Sequence, residues 1–259
     1  MDIVDRTLAR PDLPILDALC RMEDLRRTSA LGENEPTLIE FEKTYDGPEV
    51  GIIRRAANAL MLTVMPTEGA LLDYGCGGWW WKDDYWPRFE RVDAVEVNHA
   101  SLESIAPIYP AVNLYYTSNG LFDAPIKYDC VLSSGVVGSV LTAQAKLHLQ
   151  ICYDSLKPGG VFVFTRVSAL NLSAIIKGNR LVMAADYSFS VYYTRKELTE
   201  MLTAIGFRNI QYRPLGICLP KVSWRLMQKF SGWFPRLMRD VLPSMFPFIC
   251  YQHFFTATK

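Results

Sequence analysis

The run Ala70-Leu71-Leu72-Asp73-Tyr74-Gly75-Cys76-Gly77-Gly78 limits what this chain can become more than any other segment. An apolar stretch ends in an acidic residue, and Gly75 and Gly77 follow with one residue between them. A buried strand ending this way delivers its backbone to a tight turn. The missing Cβ atoms there let a ligand sit against the main chain. The acidic residue narrows the ligand further. Pyrophosphate drawn to a glycine turn and the next helix N-terminus would be repelled by a carboxylate, whereas a cationic ligand without phosphate would be tolerated or favoured.

The rest of the chain supplies a sheet for that strand. From Thr67 onward apolar runs recur at 70–74, 92–97, 112–117, 129–134 and 161–166, most of them rich in β-branched or aromatic residues. Helical stretches separate several of them, most clearly Leu141 to Leu156. This alternation predicts a mostly parallel sheet covered on both faces. Residues 1–65 read as helical, with Leu13, Ile15, Leu16 and Leu19, and later Ile52, Ile53, Ala57, Leu60 and Met61, at helix-like spacings. Half of the 259 residues are hydrophobic, enough for one good-sized α/β domain with a substantial core.

LLDYGCGG closely resembles the first motif of the class I S-adenosylmethionine-dependent methyltransferases. Two further segments match the same family in the right order. Leu156-Lys157-Pro158-Gly159-Gly160 resembles the turn before its fifth strand, and Tyr193-Thr194-Arg195-Lys196-Glu197-Leu198 to Ile205-Gly206-Phe207 resembles the helix leading to its sixth. Thr194 and Glu197 have capping-box spacing. Tyr251 to Thr258 alternates like an antiparallel seventh strand. The resemblance covers about residues 45–258 and implies a Rossmann-like, seven-stranded, mostly parallel sheet with an antiparallel last strand and an N-terminal helical extension. The expected organisation is a helical cap at 1–65 and a methyltransferase domain at 66–259, with a helical insertion at about 221–247.

The resemblance implies S-adenosylmethionine as cofactor and a set of residues to hold it. Asp73 would lie near its methionine end, and Gly75, Cys76 and Gly77 would bring backbone to the methionyl and ribose parts. Glu96, 19 positions after Gly77 at the end of 92–97, would accept hydrogen bonds from the ribose hydroxyls, with Val97 beside it. Asp93 is its rival, but it lies inside the strand. Asn119 and Gly120 stand where the adenine is bound in the family, although Asn-Gly is equally a simple turn. Ser134, ending the fourth family strand, would line the floor beside the reactive sulfur. Tyr45 resembles a tyrosine placed over the cofactor; a surface aromatic packing its helix on the sheet is the equal alternative. Trp79 departs from the pattern by replacing the usual third glycine, and Pro87 shortens or displaces the first helix.

Methyl transfer is an in-line displacement that positioning and water exclusion can accelerate without a base. No catalytic base is assigned: His148 and His253 read as structural, and His99 follows the ribose strand. Asp83 and Asp84 read as a solvated turn, and no metal site is expected. The expected acceptor is a hydrophobic or aromatic small molecule, methylated on oxygen or nitrogen. The long link Asn171 to Tyr193, carrying Met183, Tyr187, Phe189, Tyr192 and Tyr193, reads as a lid without strong secondary structure.

With 27 basic and 27 acidic residues the chain lacks the charge excess of a general nucleic-acid binder. No Asn/Asp-Pro-Pro-Tyr segment for DNA-base methylation is present. Six scattered cysteines suggest neither a disulfide framework nor zinc. The charged start lacks a signal-peptide pattern, so the expected location is cytoplasmic. On a helix, residues 221–247 would put Met227, Phe230, Phe234, Met238 and Val241 opposite Arg225, Lys229, Arg236 and Arg239. Such a stripe suits an anionic membrane surface, a second subunit in a homodimer, or the protein's own domain. A non-catalytic cofactor-binding subunit and, more weakly, a nicotinamide-dependent reductase are the competing functions.

Overall fold

The computed structural model describes residues 3–7, 48–77, 82–138, 142–168, 181–183, 189–191, 193–216, 237, 241–246 and 250–259. Among them, Val4–Asp5 (β1), Ala70–Tyr74 (β2), Arg91–Glu96 (β3), Asn113–Tyr116 (β4), Tyr128–Ser134 (β5), Leu156–Val167 (β6), Arg208–Leu215 (β9) and Gln252–Thr258 (β10) form one sheet. Its order is β1-β4-β3-β2-β5-β6-β10-β9. Only β10 runs antiparallel to its neighbours. This is the Rossmann-like arrangement expected, with eight strands rather than seven.

The extra strand corrects the reading of residues 1–65 as a purely helical cap. Val4 and Asp5 pair in parallel with Tyr115 and Tyr116 at the sheet edge. Two residues are too few to show a strand period, so no sequence signal marked them. The helix Pro48–Val64 (α1) is where the apolar spacing placed one, and it begins on a proline, which suits a first helical position. Its Ala57 and Met61, with Met65 just beyond, join the core. Leu13 to Leu19 and Tyr45 lie outside the described residues.

Each face of the sheet buries its own apolar cluster. On one face, Leu72, Tyr74, Val131, Phe162 and Phe164 pack under the helices Thr142–Ser155 (α4) and Arg195–Ile205 (α5), through Leu149, Cys152, Leu198 and Leu202. On the other, Leu71, Ala94, Leu114 and Cys130 pack under α1 and His99–Ile105 (α3), through Leu102 and Ile105. The period of two along the central strands therefore sorts apolar residues to both faces, as a doubly covered sheet requires. At α5 the capping box forms: Thr194 Oγ1 accepts from Glu197 N at 3.2 Å and Glu197 Oε2 accepts from Thr194 N at 2.8 Å. Gly206, at φ 115°, ends this helix in the left-handed conformation.

Two local expectations change. Leu156-Lys157-Pro158-Gly159-Gly160 is not a free turn before its strand. It is a bulge within β6, where Tyr128 pairs with Leu156 but Cys130 pairs with Val161. The C-terminal Lys259 closes the bulge: its carbonyl accepts from Gly159 N and its N–H donates to Gly160 O. In the expected lid, Leu181–Met183 (β7) and Phe189–Val191 (β8) form an antiparallel pair. The two short strands satisfy each other's backbone, which the reading of a link without strong secondary structure missed. Tyr187 and Tyr192 lie outside the described residues, as does most of 221–247; within that segment Leu242–Met245 forms a short helix (α6). No helix among the described residues is long and apolar enough to cross a membrane.

The strand order reverses its direction of travel between β2 and β5. Loops leaving these two strands depart to opposite faces and open a crevice at the strands' carboxyl ends. The glycine turn lies there.

Candidate active site

Gly75 and Gly77 hold φ values of 77° and 58°, conformations that a side chain disfavours. Gly75 N and Cys76 N both donate to Val95 O, at 2.8 and 3.0 Å, so β3 pins the turn from one side. The two glycines do different work. A Cβ at Gly75 would run into Cγ2 of Val136, in the 3₁₀ turn Val136–Gly138 after β5. Among the described residues, a Cβ at Gly77 would meet nothing within 4 Å, and the same holds at Gly135, where φ is 84°. Gly75 thus lets the two loops of the crevice close on each other, while Gly77 and Gly135 face space that no described residue fills.

Glu96 reaches this open side. Its Oε2 accepts from Gly77 N at 2.8 Å, and its Oε1 accepts from Val97 N at 2.8 Å and Asn98 N at 3.2 Å. Val97 is 45% exposed, unusual for valine beside a buried strand. The Cβ position of Gly120 lies 3.6 Å from Val97 Cγ1, and Tyr74 OH donates to Gly120 O. Gly77, Glu96, Val97 and Gly120 are therefore contiguous, although the first and the last lie 43 positions apart in the chain. Asn119 Oδ1 accepts from Leu121 N at 2.9 Å, so its oxygen closes a local turn, as the simpler alternative supposed. Ser134, exposed at the end of β5, shares a 2.9 Å hydrogen bond with Thr165 Oγ1.

Asp73 is drawn inward. It is 2% exposed, and its Oδ2 accepts from Tyr85 OH at 2.9 Å and from Trp86 Nε1 at 3.0 Å. Burial pushes its carboxyl above the usual range, against the opposing pull of the Lys82 ammonium and the two hydrogen bonds. Lys82, 1% exposed, donates to Cys76 O at 2.8 Å. Burial also pushes the Cys76 thiol well up, so that sulfur is no ready nucleophile. Lys82, Tyr85 and Trp86 come from Lys82–Tyr85 (α2) and the 3₁₀ turn Trp86–Arg88, the short first helix that Pro87 foretold. Their convergence on Asp73 escaped sequence reading, because Lys82-Asp83-Asp84 looks like a solvated turn. Asp83 and Asp84 are indeed exposed, and Asp84 Oδ2 accepts from Asn58 Nδ2 at 2.7 Å.

Asp93 is excluded as the ribose partner by its surroundings. It is fully buried and accepts from Arg91, Asn113 and Tyr128. The histidines divide as expected. His148 is held at about 3 by burial and His253 at about 4, chiefly by burial, so both are neutral at ordinary pH. His148 shares a 2.8 Å hydrogen bond with Ser133 Oγ, and His253 Nε2 lies 3.2 Å from Tyr193 O. His99 faces solvent beside Glu103.

A family model for a methyltransferase domain matches residues 51–212, more than half of the chain. The chain belongs to this methyltransferase family. A search of curated proteins gave no sequence match. Among solved structures, a methyltransferase from Archaeoglobus fulgidus dependent on S-adenosylmethionine aligns with a TM-score of 0.55 at 15% identity, covering 85% of this chain and 98% of the other. One from Thermotoga maritima, described as a possible histamine N-methyltransferase, gives 0.56 at 16%, covering 85% and 94%. The 1,6-didemethyltoxoflavin N1-methyltransferase of Burkholderia thailandensis, with its acceptor and S-adenosylhomocysteine bound, gives 0.54 at 18%, covering 99% and 93%. These likenesses show the shared fold.

The methyltransferase therefore uses the cofactor of its family, S-adenosylmethionine. Its residues fit that group: among the described residues two glycines meet no neighbour on their open side, a carboxylate bonded to Gly77 offers acceptor atoms, and an exposed valine offers an apolar face.

Proposed function

We propose that this methyltransferase methylates an oxygen or nitrogen atom of a hydrophobic or aromatic small molecule. The observation that carries the reading is the contiguous cradle of Gly77, Glu96, Val97 and Gly120 at the point where the sheet reverses its order. Glu96 would accept the ribose hydroxyls, its oxygens exchanging local backbone donors for stronger shared ones. Val97 and Gly120 would flank the adenine, and the Gly75–Gly77 backbone would lie along the methionyl part. S-adenosylmethionine supplies an electrophilic methyl group on a sulfonium.

The neutral, engaged state of His148 and His253 supports an acceptor that needs no strong base to attack, such as an amine or ring nitrogen. Relatives in fold described as N-methyltransferases point the same way. Ser134 and Gly135, at the end of β5, are the described residues best placed to border the acceptor, because Gly135 faces space that no described residue fills. The 221–247 segment would add peripheral contact with an anionic membrane or a second subunit. The exposure of Val241, Met245 and Phe246 supports that part.

The test is mass spectrometry of the purified protein for retained S-adenosylmethionine or S-adenosylhomocysteine, followed by a methyl-transfer screen across aromatic amines, ring nitrogens and phenols. Turnover with one of these classes supports the reading. Transfer confined to protein or nucleic-acid acceptors would overturn it.

A further inference from the structure

One peptide unit of the glycine turn is held between two opposite charges. The carbonyl of Cys76 accepts from Lys82 Nζ at 2.8 Å, and the N–H of Gly77, across the same peptide bond, donates to Glu96 Oε2 at 2.8 Å. A cation on the oxygen and an anion on the N–H polarise an amide in the same direction, so each hydrogen bond strengthens the other. The turn's own backbone does not set the orientation of this peptide. Gly75 N and Cys76 N are pinned to Val95 O, but the next peptide can turn over, because its second residue is glycine and tolerates either sign of φ. Turned over, it would present a carbonyl to the Glu96 carboxylate. The buried Lys82 ammonium opposes that, and its own segment is anchored: Tyr85 and Trp86 donate to Asp73, and the ammonium sits 5.3 Å from the centroid of the Trp86 ring.

We infer that Lys82 is a positioning residue for the cofactor ribose: it holds the Cys76–Gly77 peptide with its N–H towards Glu96, and so fixes the carboxylate oxygen that the ribose hydroxyls would meet. The inference rests on the cofactor reading above. Glu96 Oε1 accepts from Val97 N and Asn98 N, whereas among the described residues Gly77 N is the donor that orients Oε2. A carboxylate oxygen offers about two acceptor sites, so a hydroxyl can share Oε2 with the Gly77 N–H while the clamp stays closed. Lys82 thus acts on the ligand through the peptide and Glu96. Without it, the peptide is free to turn over and Glu96 loses the donor that aims it.

The test separates the ribose hydroxyls from the rest of the ligand. Calorimetry measures Kd for S-adenosylhomocysteine and for its analogue lacking both ribose hydroxyls, alongside the thermal midpoint of each variant. The wild type should prefer the hydroxyl-bearing ligand. Lys82→Met should shrink that preference about fivefold and leave affinity for the analogue within about twofold of wild type. In a Glu96→Ala background the preference should already be lost, and Lys82→Met should not lower it further. A purely structural role for Lys82 would weaken both ligands together and leave their ratio alone. Lys82→Met strands the buried Asp73 carboxylate; where it does not fold, the double variant Lys82→Met with Asp73→Asn, which leaves neither charge, carries the same comparison. A ratio within about twofold of wild type in the folded variant overturns the proposal while the cofactor reading stands. Wild-type protein that binds both ligands equally removes the ribose role of Glu96, and protein that binds neither removes the cofactor reading; either outcome takes this inference with it.

Discussion

Two buried carboxylates on neighbouring strands, Asp73 and Asp93, meet their burial in different ways. They stand one register position apart, Asp93 opposite Leu72 and Asp73 opposite Ala94, and they face opposite sides of the sheet. Asp93 is closed by four hydrogen bonds of 2.7–2.9 Å, from Arg91 Nε and a second guanidinium nitrogen, Asn113 Nδ2 and Tyr128 OH. Its partners come from β3, β4 and β5, so it ties the strands together. Asp73 accepts two neutral donors, with its counter-charge bonded to a carbonyl of the glycine turn. Its partners come from the segment that follows the turn. One acid is saturated by the sheet; the other is organised around the site. Burial alone does not say whether an acid ties the sheet together or packs beneath the glycine turn; the origin of its partners does.

The largest expected effect is on the saturated side. Asp93→Ala leaves the Tyr128 hydroxyl and the Arg91 guanidinium without their acceptor. It should cost about 4 kcal/mol in urea unfolding, since the Arg91 side chain is partly exposed and regains water. Cofactor affinity of the folded fraction should not move. If the midpoint is unchanged, the contrast between the two acids is broken.

The same face carries His148, which sharpens the comparison through pH. Its ordinary value is about 6.5, and burial holds it at about 3 in the folded protein. Above pH 6.5 both states are neutral there and nothing is lost. As pH falls below that value the unfolded chain binds a proton that the folded one refuses, so stability declines toward the folded value. The loss should reach roughly 2–3 kcal/mol by pH 4.5. Urea midpoints at pH 7.5 and 4.5 measure it, and His148→Gln should flatten that part of the dependence.

On the site side the effects should fall on binding rather than folding. Glu96→Ala removes a half-exposed carboxylate whose partners are backbone donors near water. Stability should change by less than about 1 kcal/mol, while affinity for S-adenosylhomocysteine in calorimetry should drop at least about tenfold. An equal loss of stability would place Glu96 with Asp93. The smallest effect on folding in the turn belongs to Gly77→Ala, about 1 kcal/mol for the left-handed conformation, with a loss of cofactor affinity because the new methyl enters space that no described residue fills. Gly75→Ala, pressed against Val136, should destabilise more than Gly77→Ala.

Much of this was legible in advance for a definable reason. β2 spans Ala70–Tyr74 as its apolar run indicated, and the edges of β3, β5, α4 and α5 shift by only a residue or so, because each carries its own period or cap. The nearness of Glu96 to the glycine turn was legible through the family resemblance, which sets the 19-position spacing from Gly77 to the end of the next strand. Lys82 was not: a lysine before two aspartates has every mark of a solvated residue, and only the return of the chain beneath the turn buries it. β1 and the β7–β8 pair escaped because two or three residues cannot display a repeat.

The amino-acid order alone determined the succession of strands and helices and the bare bend after Asp73, since backbone geometry and apolar period act between near neighbours. The folded chain decided which carboxylate is sealed by neighbouring strands and which is bonded to the segment after the glycine turn, because a buried charge answers to whatever lies within a few ångströms of it, however far away in the chain.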